Sequence, residues 1–451
     1  MPHIAIIGGG ITGLSAAFFL QQRDNARVTL IERAPICGGK ITTTREDGFV
    51  IEGGPDSFLI QKPAALELCR ALGLENELIP TNQSLRRVFV WSRGQLRLVP
   101  SGISLIAPTQ WKPFLTSSLF SWRGKARIAM EMIIPPRRDD SDESLASFVR
   151  RRFGREAFER LGEPMMAGIF VGDAETLSLQ STFPQLREME LKHGSLIRGA
   201  RFRIPQTRTS GFLSLCKGMQ QLSDALTARL KNSIQTNRSV ERITRLENEY
   251  QLTVNDGSPL RADAVIFATP AFETARLLAP LDSTLADQLN AIQYVSSASI
   301  SLGFRRADVP HPLNGFGFIV PHRENRKILA CTWTSSKFAH RAPSEHVLLR
   351  AFVGGAHDSA LAEQDDDTLI DLVRRELHDL MQLAAEPILT RVSHWHKANP
   401  QYLVGHKTRV AELEQRLQQY PNLLVAGSAY SGGGLPDCIS SAARAVNQLF
   451  P

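Results

Sequence analysis

The stretch that decides the fold reads Ile4-Ala-Ile-Ile-Gly-Gly-Gly-Ile-Thr-Gly-Leu-Ser-Ala-Ala-Phe-Phe-Leu20. Its first four residues are typical of a short buried parallel strand, and its last eight are typical of a helix with an apolar face. Between them Gly8, Gly10 and Gly13 match G-x-G-x-x-G. In that motif the first glycine permits a tight turn and the second lets a pyrophosphate approach the backbone. The third packs the helix against the strand, and the helix N-terminus favours the phosphates.

A second predicted strand supports this interpretation. Residues 28–31 (Val-Thr-Leu-Ile) are followed by Glu32, which lies 24 residues after Gly8. An acidic side chain at that spacing can take both ribose hydroxyls of an adenosine. The sequence therefore predicts a dinucleotide site. Because the first strand begins at residue 4, we expect no signal or transit peptide before it.

Composition restricts the class of protein. The chain has 451 residues, 43% apolar and 22% charged, as expected for a soluble globular protein of two or three domains. The net charge of +7 is mild, and no long block of like charge occurs, so nucleic-acid binding is not indicated. A positive balance would suit an anionic small substrate or an anionic membrane surface.

Metal sites, disulfides and membrane spans are not predicted. The five cysteines are scattered without C-x-x-C, which favours reduced thiols in a cytosolic protein. His394 and His396 lack a third ligand at suitable spacing, and no Ser-His-Asp order or pair of catalytic carboxylates is evident. The most apolar segment, residues 98–122, is interrupted by Lys112 and three prolines.

Two further glycine loops point to a flavin. Gly38-Gly39 permit a sharp loop from which Lys40 can reach a phosphate or a flavin edge. Together with G-x-G-x-x-G and Glu32, this pattern resembles the amine-oxidase-like superfamily of flavoproteins, in which FAD occupies the site. Residues 422–441 predict a strand, a glycine loop and a helix that begins at Pro436-Asp437. The N-terminus of that helix would stabilise the negative charge of a reduced flavin.

The remaining pattern predicts an α/β fold with a Rossmann-type FAD-binding domain, an antiparallel-sheet substrate domain and a helical insertion. Alternating or apolar runs at 296–304, 316–320, 328–333 and 347–353 predict the antiparallel sheet. Helices are expected at 63–79, 142–159, 213–230 and 366–383, with Arg150, Arg151 and Arg152 on a solvent face. The expected domains are residues 1–85, 212–272 and 420–451 for FAD, 86–211 for substrate and helical insertion, and 273–419 for the antiparallel substrate domain.

Longer motifs resemble one family within this superfamily, the oxygen-dependent porphyrinogen oxidases of haem biosynthesis. The similarity covers residue 4 to nearly the C-terminus, and it is closest to the bacterial branch that oxidises coproporphyrinogen III, then to the protoporphyrinogen IX branch. The motifs are Gly53-Gly-Pro-Asp-Ser57, Glu163-Pro-Met-Met-Ala-Gly-Ile-Phe-Val-Gly-Asp173, Leu177-Ser with Ser181-Thr-Phe-Pro184, Ala330-Cys-Thr-Trp333, Trp395 with Pro400-Gln-Tyr402, Gly405-His-Lys407 and Leu435-Pro-Asp-Cys-Ile439.

The resemblance implies an FAD site and a substrate site. The residues implied for FAD are Gly8, Gly9, Gly10, Ile11, Thr12, Gly13, Glu32, Arg33, Lys40, Gly54, Pro55, Asp56, Ser57, Val240, Trp395, Gly433, Gly434 and Leu435. The porphyrinogen is expected under the flavin near Gly168 and Ile169, with no certain catalytic side chain. Two positions depart from the family: Ala167 stands where mitochondrial relatives carry arginine, and residues 432–435 read Gly-Gly-Gly-Leu instead of Gly-Val-Gly-Ile.

The implied activity is a six-electron oxidation in three two-electron steps. In each step a bridging carbon loses hydride to flavin N5 without a strong base, and oxygen regenerates the flavin with release of hydrogen peroxide. The implied partners are a porphyrinogen and molecular oxygen, with a ferrochelatase as a candidate pathway partner. The expected location is the cytoplasm, with membrane contact at its inner face left open.

Several alternatives stay open at this point. An amine or carotenoid oxidoreductase would share the fold, and so would a carrier protein that has lost its flavin.

Residues 98–134 are interpreted as a helical lid or, less favoured, as a membrane contact through Phe114, Leu119, Phe120 and Trp122. The substrate's propionates need cations, although each of the candidates is also explained as an ordinary surface charge. These candidates are Arg87, Arg201, Arg203, Arg208 and Lys217.

Overall fold

The computed structural model describes residues 1–450 except 24, 105 and 203–210. The strands are, in chain order, β1 His3–Ile7, β2 Arg27–Ile31, β3 Thr43–Glu46, β4 Phe49–Glu52, β5 Phe58–Leu59, β6 Leu78–Pro80, β7 Val88–Ser92, β8 Gln95–Leu98, β9 Ile103–Ser104, β10 Ala107–Pro108, β11 Phe212–Leu215, β12 Ile234–Gln235, β13 Val240–Arg245, β14 Tyr250–Val254, β15 Pro259–Ala262, β16 Ala264–Phe267, β17 Tyr294–Arg305, β18 Gly317–Ile319, β19 Ile328–Trp333, β20 His346–Gly354, β21 Leu389–Pro400 and β22 Leu423–Val425.

The α-helices are α1 Ile11–Arg23, α2 Ala64–Ala71, α3 Trp111–Thr116, α4 Trp122–Ala129, α5 Leu145–Phe153, α6 Arg155–Ala157, α7 Gly168–Phe170, α8 Leu179–Thr182, α9 Pro184–His193, α10 Leu196–Phe202, α11 Gln220–Arg229, α12 Ala271–Leu278, α13 Ser283–Asn290, α14 Thr334–Lys337, α15 Asp366–Met381, α16 His406–Leu417, α17 Ser428–Ser431 and α18 Leu435–Leu449. A π-helix, Phe158–Ala167, joins α6 to α7, and short 3₁₀ turns include Met130–Ile133 and His322–Glu324.

A five-stranded parallel sheet carries the dinucleotide motif. Its strand order is β12-β2-β1-β16-β22, and Ile6 of the central strand lies between Leu30 and Ile266. Because both faces of such a sheet are covered, its strands are apolar throughout. Helices α1 and α18 pack together over one face, and a separate apolar cluster that includes α12 and α13 covers the other. The predicted Rossmann-type architecture is confirmed.

The second large sheet has seven strands in the order β21-β17-β20-β19-β18-β7-β8. All neighbouring pairs are antiparallel except β18 and β7, so the predicted antiparallel character holds with one parallel pair. The helices between residues 111 and 202 form their own apolar core, which reaches this sheet at Val90 and Ile319.

Three predicted helices were wrong at their ends, two of them because of glycines. The helix expected at 63–79 ends at Ala71, just before Gly73 with φ +75°, and the one expected at 142–159 breaks at Gly154, where φ is +89°. The helix expected at 213–230 begins only at Gln220. Its first part is strand β11, which pairs with β5 and β6, so long-range pairing overrides the local apolar pattern.

The arginine triplet is a further correction. Arg150 is exposed and Arg151 is half-buried, but Arg152 is fully buried and donates to Glu131. The triplet therefore does not form a solvent face. Because a helix turns by about 100° per residue, Arg150 and Arg152 lie about 160° apart around α5 and face opposite sides of it.

Candidate functional site

The glycines of the first turn differ in what surrounds them. Gly8 has φ +107°, and a Cβ there would lie 2.8 Å from the Ala268 carbonyl oxygen. A Cβ on Gly13 would lie 1.9 Å from the Gly8 carbonyl oxygen, so only glycine lets α1 approach this turn. Beside Gly10, by contrast, a Cβ would meet no atom within 4 Å. The open space at the N-terminus of α1 suits a pyrophosphate group.

Glu32 directly follows β2 and is held by two backbone amides. Gly9 N–H donates to Oε2 at 2.6 Å, and Ala34 N–H donates to Oε1 at 2.7 Å. Each carboxylate oxygen can accept a second hydrogen bond, so capacity remains for the two hydroxyls of a ribose. Its half-buried position beside Gly9 agrees with that role.

Arg33 and the segment that leads into Val240 lie next to Glu32. The Arg33 side chain is 74% exposed and its guanidinium lies 3.8 Å from Glu273. Val240 is buried at the start of β13, and the amide of nearby Arg238 donates to the Glu32 carbonyl. These positions are compatible with the adenine end of a dinucleotide.

The second glycine loop contacts the first. Gly38 N–H donates to the Gly9 carbonyl at 2.9 Å, and a Cβ on Gly39 would lie 3.2 Å from Gly10 Cα. Lys40 Nζ donates to the Ala398 carbonyl at the end of β21. The Lys40 side chain is exposed, yet desolvation lowers its pKa, as expected for a side chain in a recess.

The loop of residues 53–57 connects the nucleotide turn to the seven-stranded sheet. The Gly53 carbonyl accepts hydrogen bonds from Trp395 Nε1 at 2.9 Å and from Arg350 Nη2 at 2.5 Å. A Cβ on Gly54 would lie 1.7 Å from the Lys40 carbonyl oxygen and 3.7 Å from the Trp395 ring. Close contact among these three segments therefore requires glycine at position 54.

Asp56 is paired with Lys337 at 2.7 Å and accepts a hydrogen bond from Ser57 Oγ at 2.6 Å. Burial by itself raises the pKa of Asp56, but Lys337 and Ser57 outweigh it and lower the pKa to about 2. The neighbouring residues of this loop, Gly54 and Pro55, are half-buried. Asp56 therefore stays ionised and fixes the loop to the segment after β19.

The last helix presents its N-terminus to the same region. Gly433 and Gly434 are exposed, Leu435 is buried, and Pro436 occupies the first turn of α18. A Cβ on Gly433 would lie 3.8 Å from the Tyr402 hydroxyl, which donates to the Ser428 carbonyl. The first helix is near as well, because Thr12 Oγ1 lies 3.5 Å from the Cβ position of Gly427. We call the space bordered by Gly10, Gly39, residues 53–57, Trp395 and residues 432–434 the nucleotide cleft.

The expected substrate residues lie next to this cleft. Ile169 is 66% exposed, and a Cβ on Gly168 would meet nothing within 4 Å. Phe170 packs against Tyr402 with ring centroids 5.6 Å apart, which links the segment to the C-terminal glycine loop. An exposed isoleucine on a short helix is a suitable contact for an apolar macrocycle.

The five cation candidates are not brought together by contacts that the structure describes. Arg87 and Lys217 are exposed, at the start of β7 and before α11. The side chain of Arg201, and Arg203 and Arg208 entirely, lie outside the described residues.

Two cations were missed by the sequence interpretation, the half-buried Lys337 and the buried Arg350. Arg350 lies in β20 and donates to Gly53 and to Ser299 Oγ at 3.0 Å. An arginine within the apolar run of β20 was the available signal, because a buried cation needs partners.

The two histidines considered as metal ligands have other contacts. His394 Nε2 lies 2.8 Å from Asp366, and His396 Nδ1 lies 2.9 Å from Glu363. His394 and His396 both lie within β21, whose pairing with β17 continues to Pro400. Across the described part of the chain, no group of three or more His, Cys, Asp or Glu side chains is arranged to hold a metal ion.

The segment considered for membrane contact is mostly internal. Phe114, Leu119 and Phe120 are buried in the core of the helical region, so that part of the hypothesis was wrong. Trp122 is 73% exposed. None of the helices in the described ranges combines the length and apolar character needed to cross a bilayer.

Comparison with known proteins gives concordant matches. The family model described as flavin containing amine oxidoreductase matches residues 11–450. Coproporphyrinogen III oxidase of Bacillus subtilis (strain 168) is 38% identical, over 99% of this chain and 98% of that protein. The enzyme of the same name from Staphylococcus aureus is 34% identical, with the same coverage. A crystal structure from Exiguobacterium sp. 255-15, described as a protoporphyrinogen oxidase, superposes with a TM-score of 0.90 at 33% identity, covering 99% of this chain and 98% of that one.

Proposed function

The chain belongs to the family of flavin-containing amine oxidoreductases, and we propose that it is an FAD-dependent porphyrinogen oxidase of haem biosynthesis. The favoured reaction is the six-electron oxidation of coproporphyrinogen III to coproporphyrin III, with molecular oxygen as acceptor and hydrogen peroxide as by-product. Two relatives with high coverage are named for this substrate, which supports the choice over protoporphyrinogen IX.

One observation carries the proposal: the N-termini of α1 and α18 meet at one cleft beside an exposed apolar turn. We assign the pyrophosphate to Gly8, Gly9, Gly10, Ile11, Thr12 and Gly13, the adenosine to Glu32, Arg33 and Val240, and the flavin to Lys40, Gly54, Pro55, Asp56, Ser57, Trp395, Gly433, Gly434 and Leu435. The open space at Gly10 and the remaining acceptor capacity of Glu32 fit FAD.

The chain's own residues bind FAD and the substrate, orient them towards each other and exclude water. When bound, FAD supplies two-electron oxidation of a carbon between pyrroles. The N–H groups at the start of α18 favour negative charge beside Gly433 and Gly434. Ile169 would contact the apolar face of the macrocycle. Orientation of the substrate then contributes most of the rate enhancement.

Anaerobic mixing tests this proposal. Purified holoprotein is mixed with coproporphyrinogen III and, separately, with protoporphyrinogen IX. The loss of flavin absorption is followed, and porphyrin fluorescence is measured after oxygen is admitted. Faster bleaching with coproporphyrinogen III is expected. Faster bleaching with protoporphyrinogen IX would reassign the substrate. No bleaching with either would overturn the proposal and favour an amine or carotenoid substrate.

Contact with a membrane surface is a finer part of the proposal. Trp122, Ala126, Met130 and Ile133 are all exposed along α4 and the 3₁₀ turn that continues it, and Arg123 is exposed beside them. An apolar stripe next to a cation suits an anionic bilayer. We further propose a cytoplasmic location at the inner face, with a ferrochelatase as the partner that uses the porphyrin product.

Vesicle co-sedimentation tests the membrane contact. The holoprotein should sediment with vesicles that contain anionic lipid, and Trp122→Ser should reduce the bound fraction at least threefold. Leu191→Ser is the matched control, because Leu191 is also exposed but lies on α9. Equal binding of both variants, or no binding by the unmodified protein, would contradict the contact.

A further inference from the structure

The turn that carries Ile169 follows an unusual helix. The π-helix Phe158–Ala167 contains Pro164 and leads directly into α7. π-helical turns are rare and are frequent at functional sites. After α7, Val171 has φ +49°, a left-handed conformation that β-branched residues rarely adopt. We call residues 168–171 the Ile169 turn. A backbone of this form must be held in place by its surroundings.

Four contacts from other segments hold the Ile169 turn and its flanks. Gln401 Nε2 donates to the Phe170 carbonyl at 3.1 Å, and Ala356 N–H donates to the Val171 carbonyl at 2.8 Å. On the N-terminal side, His322 N–H donates to Glu163 Oε2 at 3.2 Å. On the C-terminal side, Asp173 Oδ1 lies 4.0 Å from His357 Nε2. Two carboxylates therefore flank the turn.

The groups around Glu163 favour the protonated form of its carboxyl group. Burial, opposed by the hydrogen bond from the His322 amide and assisted by the charge of Asp173, raises the pKa of Glu163 to about 7. The ring of His322 stacks on that of His357 with centroids 4.1 Å apart, and burial together with His357 lowers the pKa of His322. Neutral His322 therefore offers little compensating charge near pH 7.

The other charged groups near Glu163 have their own partners. On the same helix, Glu159 is paired with Arg155 and with Arg323, which follows His322. Arg160 donates to the Leu119 carbonyl at 2.8 Å and lies 3.2 Å from Glu156. Loss of the Glu163 proton would leave two carboxylates, those of Glu163 and Asp173, acting on one turn.

We propose that Glu163 is a positioning residue, which keeps the Ile169 turn in its substrate-binding form while its carboxyl group is protonated. When the proton is lost, the Glu163 carboxylate repels Asp173 and the anionic propionates, and the porphyrinogen binds more weakly. This inference rests on the proposed function for its substrate, but the control of the turn by Glu163 does not depend on it.

The first experiment needs no substrate. Hydrogen exchange of peptides within residues 158–173 is measured on the holoprotein at pH 6 and pH 8 and corrected for the intrinsic pH dependence of exchange. We expect at least a threefold increase at pH 8 in the unmodified protein and no increase in Glu163→Gln. Glu175→Gln is the control, because Glu175 is exposed and paired with Arg150, and it should behave like the unmodified protein.

The second experiment measures steady-state oxidation of coproporphyrinogen III from pH 6 to pH 8. We expect KM to rise at least threefold with pH while kcat changes less than twofold, and we expect KM of Glu163→Gln to stay low throughout. If that variant does not fold, Asp173→Asn should likewise reduce the pH dependence of KM and of exchange, because the repelling charge is gone.

The outcomes separate the two proposals. An unchanged pH dependence of exchange in both Glu163→Gln and Asp173→Asn would overturn the role of Glu163. A change in kcat in place of KM would do the same. Absence of porphyrinogen oxidation by the unmodified protein would instead refute the proposed function, and the exchange measurement would still decide whether Glu163 controls the turn.

Discussion

Substitutions at Gly10 and Gly13 should affect cofactor binding and folding separately. A Cβ on Gly13 would lie 1.9 Å from the Gly8 carbonyl oxygen, whereas one on Gly10 meets nothing within 4 Å. We expect Gly13→Ala to destabilise the protein even without FAD. Gly10→Ala should keep the fold but weaken FAD binding about tenfold or more, roughly 1.4 kcal/mol, because its methyl group takes space needed by the pyrophosphate. FAD titration and thermal unfolding of the apoproteins check this, and equal destabilisation by both changes would contradict it.

The Asp56–Lys337 pair gives a second prediction for single residues. The pKa of Asp56 is lowered from 3.8 to about 2, so its contribution to stability is present above about pH 4 and is lost as the pH falls towards 2. Lys337→Met should cost about 2 kcal/mol at pH 7, and the difference from the unmodified protein should shrink below about pH 4 and vanish near pH 2. Urea unfolding of the apoproteins measures it.

The matched control for this pair is Lys327→Met. Lys327 lies 3.1 Å from Asp358, but both side chains are substantially exposed, so the expected cost is below about 1 kcal/mol. A similar cost for the two lysines would show that burial does not strengthen the Asp56–Lys337 pair.

At the scale of elements, one buried arginine joins three helical segments. Arg152 of α5 donates to Glu131 and to the Gly194 carbonyl, and the Glu131 carboxylate accepts from the Leu196 amide at the start of α10. Arg152→Met would leave Glu131 buried without its cation, which costs about 3–5 kcal/mol. We expect residues 111–202 of the Arg152→Met variant to unfold before the rest of the chain and to be cleaved by proteases. The control Arg150→Met should cost below about 1 kcal/mol, because Arg150 is exposed.

At the scale of the whole molecule, FAD should stabilise both large sheets together. The nucleotide cleft is bordered by the β1–α1 turn and by Trp395 of the seven-stranded sheet. Free FAD at 100 times its Kd contributes about 2.7 kcal/mol, which should raise Tm by about 3 °C in a single transition of a chain of this length. Calorimetry of the apoprotein with and without FAD measures it. Two transitions, of which only one responds, would contradict this prediction.

The local signals of the sequence were reliable where neighbouring residues decide the structure. The turn Gly8–Gly13, strand β2 before Glu32 and helix α15 follow from residues within a few positions of each other. Predictions at 213–230 and at Arg152 were wrong because distant segments determine them. Strand β11 is set by its partners β5 and β6, and Arg152 is covered by residues 130–134 and 194.

The sequence by itself determined the dinucleotide-binding half and the family resemblance, because glycine turns, strand patterns and motifs are local in the chain. Only the tertiary structure brought Lys337 to Asp56 and Arg350 to Gly53, which are 281 and 297 residues apart. The same holds for the pair of carboxylates that flank the Ile169 turn, since their environment comes from His322 and His357. Contacts over such separations depend on how the two sheets and the helices pack, and no local pattern encodes them.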